Sequence, residues 1–223
     1  MEGITDYHSH VLPGVDDGID KIENSLSVLD TYEQLGVDTL WLTPHIMEDV
    51  PNTTEALRAR YKYLMDNYHG KVKVKLASEN MLDNLFEERL RAHDFLPLGD
   101  KGEHLLVETS YFTPPNDLED KLQRTLSAGY FPMLAHPERY VYMDDRDYDK
   151  LYKQGVKLQL NLYSLFGFYG KEAKDKATHL LNKGYYTILG SDTHRFAQVQ
   201  NALANARLTK DELNKLNSLP GIE

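Results

Sequence analysis

The sequence predicts an α/β fold, an irregular barrel of parallel strands in preference to an open doubly wound sheet. Three observations predict it. A unit of amphipathic helix, glycine, short apolar strand and polar residue recurs along the chain. Residues of metal-ligand type stand at six of the seven strand ends so defined. No linker, low-complexity tract or fixed-period repeat divides the 223 residues. Strands alternating with helices build parallel βαβ units whose carboxyl ends carry chemistry, and ligands at so many strand ends gather most easily around a closed ring. Barrels of this kind reach such a length as one unit, so a single domain over residues 1–223 is expected.

In chain order, Ile4 to Tyr7 reads as the first strand and delivers His8 and His10. Leu26, Leu29, Tyr32 and Leu35 keep helical spacing, Gly36 suits the left-handed position after a helix, and Val37 to Thr43 is a buried strand leading to His45. Leu57, Tyr61, Leu64, Met65 and Tyr68 form the next helix face. Gly70 ends it, and Lys71 to Ala77 alternates apolar and basic before Glu79. His104 to Val107 is a short strand ending at Glu108. Asn116 and Glu119 have capping-box spacing for a helix that stops at Gly129, after which Phe131 to Ala135 leads to His136. Val156 to Leu160 follows Gly155 and ends near Asn161. Tyr185 to Leu189 follows Gly184 and ends in Ser191-Asp192-Thr193-His194.

Composition narrows the chemistry. Lys and Arg number 25 against 35 Asp and Glu, and the formal charge of −10 disfavours a nucleic-acid partner, since no local basic patch offsets it. Carboxylates that bind cations inflate that figure. The absence of cysteine excludes disulfides, thiolate zinc sites and a cysteine nucleophile. Met1 to Asp6 lacks a basic n-region, and no stretch approaches the roughly 20 apolar residues of a membrane span. A soluble, cytoplasmic protein is expected.

His8-Ser9-His10 puts two imidazoles on the same side of an extended strand, able to share one ion or to be an ordinary histidine pair. In the following Asp16-Asp17-Gly18, turn chemistry is favoured for Asp16 and a ligand role for Asp17. Thr43-Pro44-His45 fits a ligand or a plain loop. Glu79 and Glu108 each end an apolar strand, where a carboxylate facing a barrel interior is costly unless paired or bound to a metal. His136-Pro137-Glu138-Arg139 adds an imidazole and a guanidinium suited to bidentate phosphate contact, against the plainer alternative of a salt bridge to Glu138. Asp192 and His194 repeat the one-apart spacing. His69, His93, His104 and His179 read as surface residues; Tyr111, Tyr140, Tyr142, Tyr163 and Tyr169 follow strand ends, where packing is the expected role for most.

Nine candidate ligands result: His8, His10, Asp17, His45, Glu79, Glu108, His136, Asp192 and His194. One zinc takes about four ligands and an octahedral ion about six, so nine imply at least two ions with bridging carboxylates. Mixed imidazole and carboxylate ligation suits Mn, Fe, Zn or Mg.

The order His-x-His, Pro-Gly-Val-Asp-Asp-Gly, Thr-Pro-His, Glu, Glu, His-Pro-Glu-Arg-Tyr, Ser-Asp-Thr-His, running from Asp6 to His194, resembles the polymerase and histidinol phosphatase (PHP) superfamily. Within it the chain looks like the bacterial protein-tyrosine phosphatases of capsular and exopolysaccharide operons, the CpsB/YwqE type. The resemblance implies a distorted, TIM-barrel-like (β/α)7 barrel, a trinuclear site with two or three divalent ions, manganese foremost, and Arg139 as the phosphate-binding arginine. It also implies a partition: His8, His10, Glu79 and Asp192 on one ion; Glu79, Glu108 and His136 on a second; Asp17, His45 and His194 on a third. The implied partner is a phosphotyrosine protein, a bacterial tyrosine kinase being one candidate. The alternatives are a small-molecule phosphatase of the superfamily, acting on a substrate such as histidinol phosphate, and a metal-binding regulatory module without turnover.

Overall fold

The computed structural model describes residues 3–222; Met1, Glu2 and Glu223 lie outside the described residues, and with them the first part of the amino-terminal stretch read above. The strands are β1 (Ile4–Asp6), β2 (Val37–Leu42), β3 (His45–Ile46), β4 (Lys73–Leu76), β5 (Glu79–Met81), β6 (His104–Glu108), β7 (Phe131–Ala135), β8 (Lys157–Asn161) and β9 (Tyr186–Gly190). Helices α1 (Ile22–Gln34), α2 (Thr54–Asn67), α3 (Asn84–Ala92), α4 (Leu118–Ser127), α5 (Asp145–Lys153), α6 (Leu162–Phe166), α7 (Gly170–Lys183), α8 (Phe196–Asn205) and α9 (Lys210–Asn217) alternate with or follow them. Every strand pairing is parallel, in two sheets of order β1-β2-β4 and β3-β5-β6-β7-β8-β9. This is an α/β protein. None of its helices is long and apolar enough to cross a membrane among the described residues.

The two sheets share chain. β2 breaks at Thr43-Pro44 and resumes as β3; β4 breaks at Ala77-Ser78 and resumes as β5. Pro44 has no N–H to donate, yet its carbonyl accepts from Glu79 N at 3.1 Å, and Ala77 N donates to Leu42 O at 2.8 Å. Leu42 pairs with Leu76 and His45 with Glu79, so both strands take the same step of three residues across the break. The chain after β1 also meets the end of β9: Tyr7 N donates to Leu189 O at 3.0 Å, and His10 N to Thr193 O at 2.9 Å.

Alternation along the strands sorts side chains into separate apolar clusters. Leu105, Val107, Leu134, Leu158 and Leu160 pack towards helices in one cluster, while their strand neighbours Leu106, Met133 and Ala135 join Trp41 and Ile188 in another that draws on both sheets. Leu40 and Leu42 pack against Val28, Leu29, Leu57 and Leu64 of α1 and α2. With both faces covered, the strand ends are left as the place where polar side chains collect.

Two local expectations fail. Asn116 does not cap α4: Asp117 holds the N-cap position without a side-chain cap, because its carboxylate turns to Lys121 at 3.3 Å and to Arg124. Gly70 does not end α2, which stops at Asn67. A glycine fits there because a Cβ would come within 2.4 Å of the Tyr68 hydroxyl, itself accepting from Val72 N. The sequence reading also passes over α3, α6, α8 and α9, and it ends two strands at Thr43 and Ala77 without the short β3 and β5 that follow them. His69, His93 and His179 are exposed as expected, but His104 is half-buried, and burial beside Lys157 lowers its pKa.

Candidate metal centre

All nine candidate residues converge just beyond or at the carboxyl ends of β1, β2, β4, β6, β7 and β9. His8 and His10 follow β1, Asp17 lies in the next loop, His45 opens β3, Glu79 opens β5 and Glu108 closes β6. His136 follows β7, and Asp192 and His194 follow β9. Six of the nine are buried, His45 and His194 are half-buried, and only Asp17 is exposed.

Glu79 is the hub. Its Oε2 lies 3.2 Å from each of His8 Nε2, His10 Nε2 and His45 Nδ1, and its Oε1 lies 3.1 Å from His136 Nε2. Asp192 Oδ1 lies 3.4 Å from His8 Nε2 and from His10 Nε2, and 3.3 Å from His194 Nδ1. Glu108 Oε1 lies 3.0 Å from His45 Nδ1, and Asp17 Oδ1 sits 3.5 Å and 3.4 Å from His45 Nε2 and His194 Nε2. The atoms fall into four overlapping groups: His8, His10 and Asp192; His8, Glu79 and His136; His45, Glu79 and Glu108; His10, Asp17, His45 and His194. Glu108 thus keeps company with His45, where the partition implied by resemblance places it with His136.

The donor set fits divalent ions. Ligands at 2.0–2.2 Å from one ion stand about 3.0–3.5 Å from each other, the spacing seen here. His45 Nδ1, Glu79 Oε2 and Glu108 Oε1 are buried and close to polar atoms but aligned for no hydrogen bond, an arrangement that a cation among them resolves. Without an ion, protons partly substitute. Burial alone depresses His8, but the carboxylates of Glu79 and Asp192 outweigh it and hold the imidazole up at about 9. His10 is raised likewise, against burial, by Asp16 and Glu79.

A supporting layer fixes the ring orientations. Gln159 Oε1 accepts from His136 N at 3.2 Å and lies 2.9 Å from His8 Nδ1, so Nδ1 carries the proton and Nε2 presents its lone pair to the centre. Asp16 Oδ2 does the same for His10 Nδ1 at 2.8 Å, and the Asp192 carbonyl for His194 Nδ1 at 2.9 Å. Asp16 still forms the expected turn, through Oδ1 and Gly18 N, so one carboxylate serves both purposes. Neither Gln159 nor Asn161, which donates to Asp192 Oδ2 at 3.0 Å, stands out in sequence. Their only signal is a polar side chain inside an apolar strand.

Two centre residues adopt left-handed backbone without being glycine: His136 at φ 34° and Asp192 at φ 56°. Such positions cost about 1–3 kcal/mol each and persist where surroundings fix them. Here Gln159 Oε1 holds His136 N, and the His8 carbonyl accepts from Asp192 N at 2.8 Å.

Arg139, on the 3₁₀ turn Pro137–Arg139, does not pair with Glu138. Glu138 is buried and accepts from Asn161 N and the Tyr186 hydroxyl instead. Arg139 Nη1 donates to Asp192 Oδ2 at 2.7 Å, joining the guanidinium to the centre, and its Cζ lies over the Tyr111 and Tyr169 rings, 4.3 and 4.0 Å from their centroids. Tyr140 and Tyr163 are packing residues, as expected, with hydroxyls on Thr109 N and Thr193 Oγ1.

Fold and site together define a parallel α/β protein with a clustered imidazole and carboxylate centre at its strand ends. The model of the capsular polysaccharide synthesis family CpsB/CapC matches residues 4–213, and the chain belongs to that family. It is 26% identical over 195 residues to tyrosine-protein phosphatase YwqE of Bacillus subtilis, covering 85% of this chain and 76% of the relative. It is 25% identical over 208 residues to tyrosine-protein phosphatase CpsB of Streptococcus agalactiae, covering 85% and 82%. Among solved structures it superposes, at a TM-score of 0.79 and 22% identity over 97% of this chain and 94% of the other, on one from a study of YwqE and Streptococcus pneumoniae CpsB, described as metal-dependent tyrosine phosphatases.

Proposed function

We propose that this protein is a metal-dependent phosphomonoester hydrolase acting on phosphotyrosine in proteins, a bacterial tyrosine kinase among them, in the cytoplasm and in capsule or exopolysaccharide regulation. The observation that carries the reading is the Arg139 to Asp192 bond at 2.7 Å, which puts an anion-binding guanidinium on the rim of the nine-residue centre. Its other N–H groups have no hydrogen-bond acceptor among the described residues, so a bidentate face is left for a phosphoryl group. The family and the named activities of the relatives support the same reading.

In this reading the nine residues hold two or three divalent ions, manganese foremost with Fe, Zn or Mg as alternatives. Ions bound there supply positive charge to the phosphoryl oxygens and acidify water. Gln159 and Asp16 keep His8 and His10 in the tautomer that turns Nε2 inward. Asp192 orients Arg139 through one oxygen and faces three imidazoles with the other. Arg139 binds the equatorial oxygens as charge builds on them. A phenolate leaves with a pKa of about 10, which places a modest demand on any general acid.

The two sheets then form one distorted (β/α)7 barrel in a single domain, β2 with β3 and β4 with β5 each making one broken strand. The Tyr7 to Leu189 and His10 to Thr193 bonds support that closure.

The test is a panel of phosphotyrosine peptide, phosphoserine peptide and histidinol phosphate assayed with metal-reconstituted protein. Preferential turnover of the phosphotyrosine peptide is expected. Turnover of histidinol phosphate alone selects the small-molecule alternative, and no turnover of any of the three overturns the hydrolase reading.

A further inference from the structure

Arg139 is restrained from three sides. Asp192 takes one N–H at 2.7 Å, and the guanidinium carbon Cζ lies over the Tyr111 ring, 4.3 Å from its centroid, and over the Tyr169 ring, 4.0 Å from its centroid. The rings come from different loops, Tyr111 from the segment after β6 and Tyr169 from the turn before α7, so the stack ties three strand-end loops together. The Tyr111 loop is in turn fixed to the Arg139 loop, since Val141 N donates to Tyr111 O at 3.0 Å. The Tyr111 ring also lies 5.6 Å from His136 and 6.0 Å from Tyr140, which anchors it on the centre side.

A free arginine has several rotamers, and ordering it on a phosphoryl group at each encounter loses side-chain entropy. Aromatic faces attract a guanidinium while leaving its N–H edge unused, unlike a second carboxylate, which would consume the donors meant for the substrate. We propose that Tyr111 and Tyr169 are positioning residues that hold Arg139 flat, with its donor edge presented to the phosphoryl group before substrate arrives. The inference rests on the phosphatase reading for its substrate. Its physical content is that the aromatic faces, not the hydroxyl groups, set the affinity of Arg139 for a phosphoryl dianion.

A double-mutant cycle on the metal-loaded full chain tests it. Tyr111→Ala is expected to raise KM for a phosphotyrosine peptide and to weaken inorganic phosphate binding, read by calorimetry, by about tenfold each. Tyr111→Phe should stay within about twofold of the unmodified protein. In an Arg139→Ala background, Tyr111→Ala should have little further effect, because the group it positions is gone. An equal loss in both backgrounds, a loss in Tyr111→Phe as large as in Tyr111→Ala, or unchanged phosphate affinity in Tyr111→Ala overturns the proposal. Should Tyr111→Ala fail to fold, Tyr111→Leu and Tyr169→Leu replace it with the same expected outcomes. Phosphate binding is measured without turnover, so absence of phosphotyrosine hydrolysis in the unmodified protein rejects the phosphatase reading while leaving the clamp testable.

Discussion

Left-handed backbone precedes β7, β8 and β9 at Gly129, Gly155 and Gly184, and follows β7 and β9 at His136 and Asp192. Before the strands the turn falls on a residue that adopts it without strain; after them it falls on residues that pay for it with held hydrogen bonds. The ligand-type residues divide as well. At the amino ends a concavity of about 550 Å³, lined by Lys101, Glu103, His104, Tyr152, Lys157 and Tyr185 among others, opens to solvent and holds none of the nine centre residues. At the carboxyl ends, His8, His10, Glu79, Glu108, His136 and Asp192 are buried together. If the proposed site lies at the carboxyl ends and the amino ends serve stability alone, substitutions should separate the two.

The largest separation is expected at Glu79, which touches four imidazoles. Glu79→Gln should lower kcat/KM by more than about a thousandfold and remove at least one equivalent of metal. The unmodified, reconstituted protein should carry two or three equivalents by elemental analysis; one or fewer would end the multinuclear reading. Arg139→Ala should lower kcat/KM by about a hundredfold, roughly 3 kcal/mol of transition-state stabilisation, with metal content unchanged. Near-normal kcat/KM in a folded, metallated variant removes Arg139 from the site. Gln159→Leu frees His8 Nδ1 from its acceptor and should weaken metal binding by about 10- to 100-fold, read by competition with a chelating dye.

A smaller effect distinguishes the protein stripped of metal. His8 loses its proton near 6.5 when unfolded but, with Glu79 and Asp192 outweighing burial, keeps it to about 9 in the fold. Its protonation therefore stabilises the ion-free fold fully below pH 6.5, and that contribution is lost as pH rises to 9. Thermal midpoints of chelator-treated protein should fall across this window and those of the metal-loaded protein should not; parallel curves would contradict the assignment. The smallest change belongs to the other end. Gly184→Ala meets open space but keeps φ at 69°, so it should cost about 1 kcal/mol of stability and leave kcat/KM as it was.

Glu79 and Glu108 are legible in sequence because a carboxylate closing an apolar run has few structural explanations, and the histidines because their spacing suits a strand. Gln159 and Asn161 are not, because each acts through a second side chain whose position depends on strands distant in sequence; Asp16, six residues from His10, is hidden instead by the turn it also forms, which accounts for it on its own. Gln159 and His8 are 151 residues apart. Separation in sequence also hides the partner of Arg139: its neighbour Glu138 looks available, while Asp192, 53 residues on, is the residue it meets. The alternating α/β order is readable from periodicity. The resumption of strand pairing beyond Thr43 and Ala77, as β3 and β5, is not, since His45-Ile46 and Glu79-Asn80-Met81 are too short and too polar to read as strands by periodicity.

The breaks after β2 and β4 have a consequence for how the chain tolerates insertions. His45 and Glu79 face each other because three steps separate Leu42 from His45 and three separate Leu76 from Glu79. Spacer length, more than the identity of Thr43, Ala77 or Ser78, sets that meeting. One extra residue in either spacer would put the two strands out of phase and turn one ligand away from the other. An extra residue in both would restore the phase, making a pair of insertions less harmful than either alone.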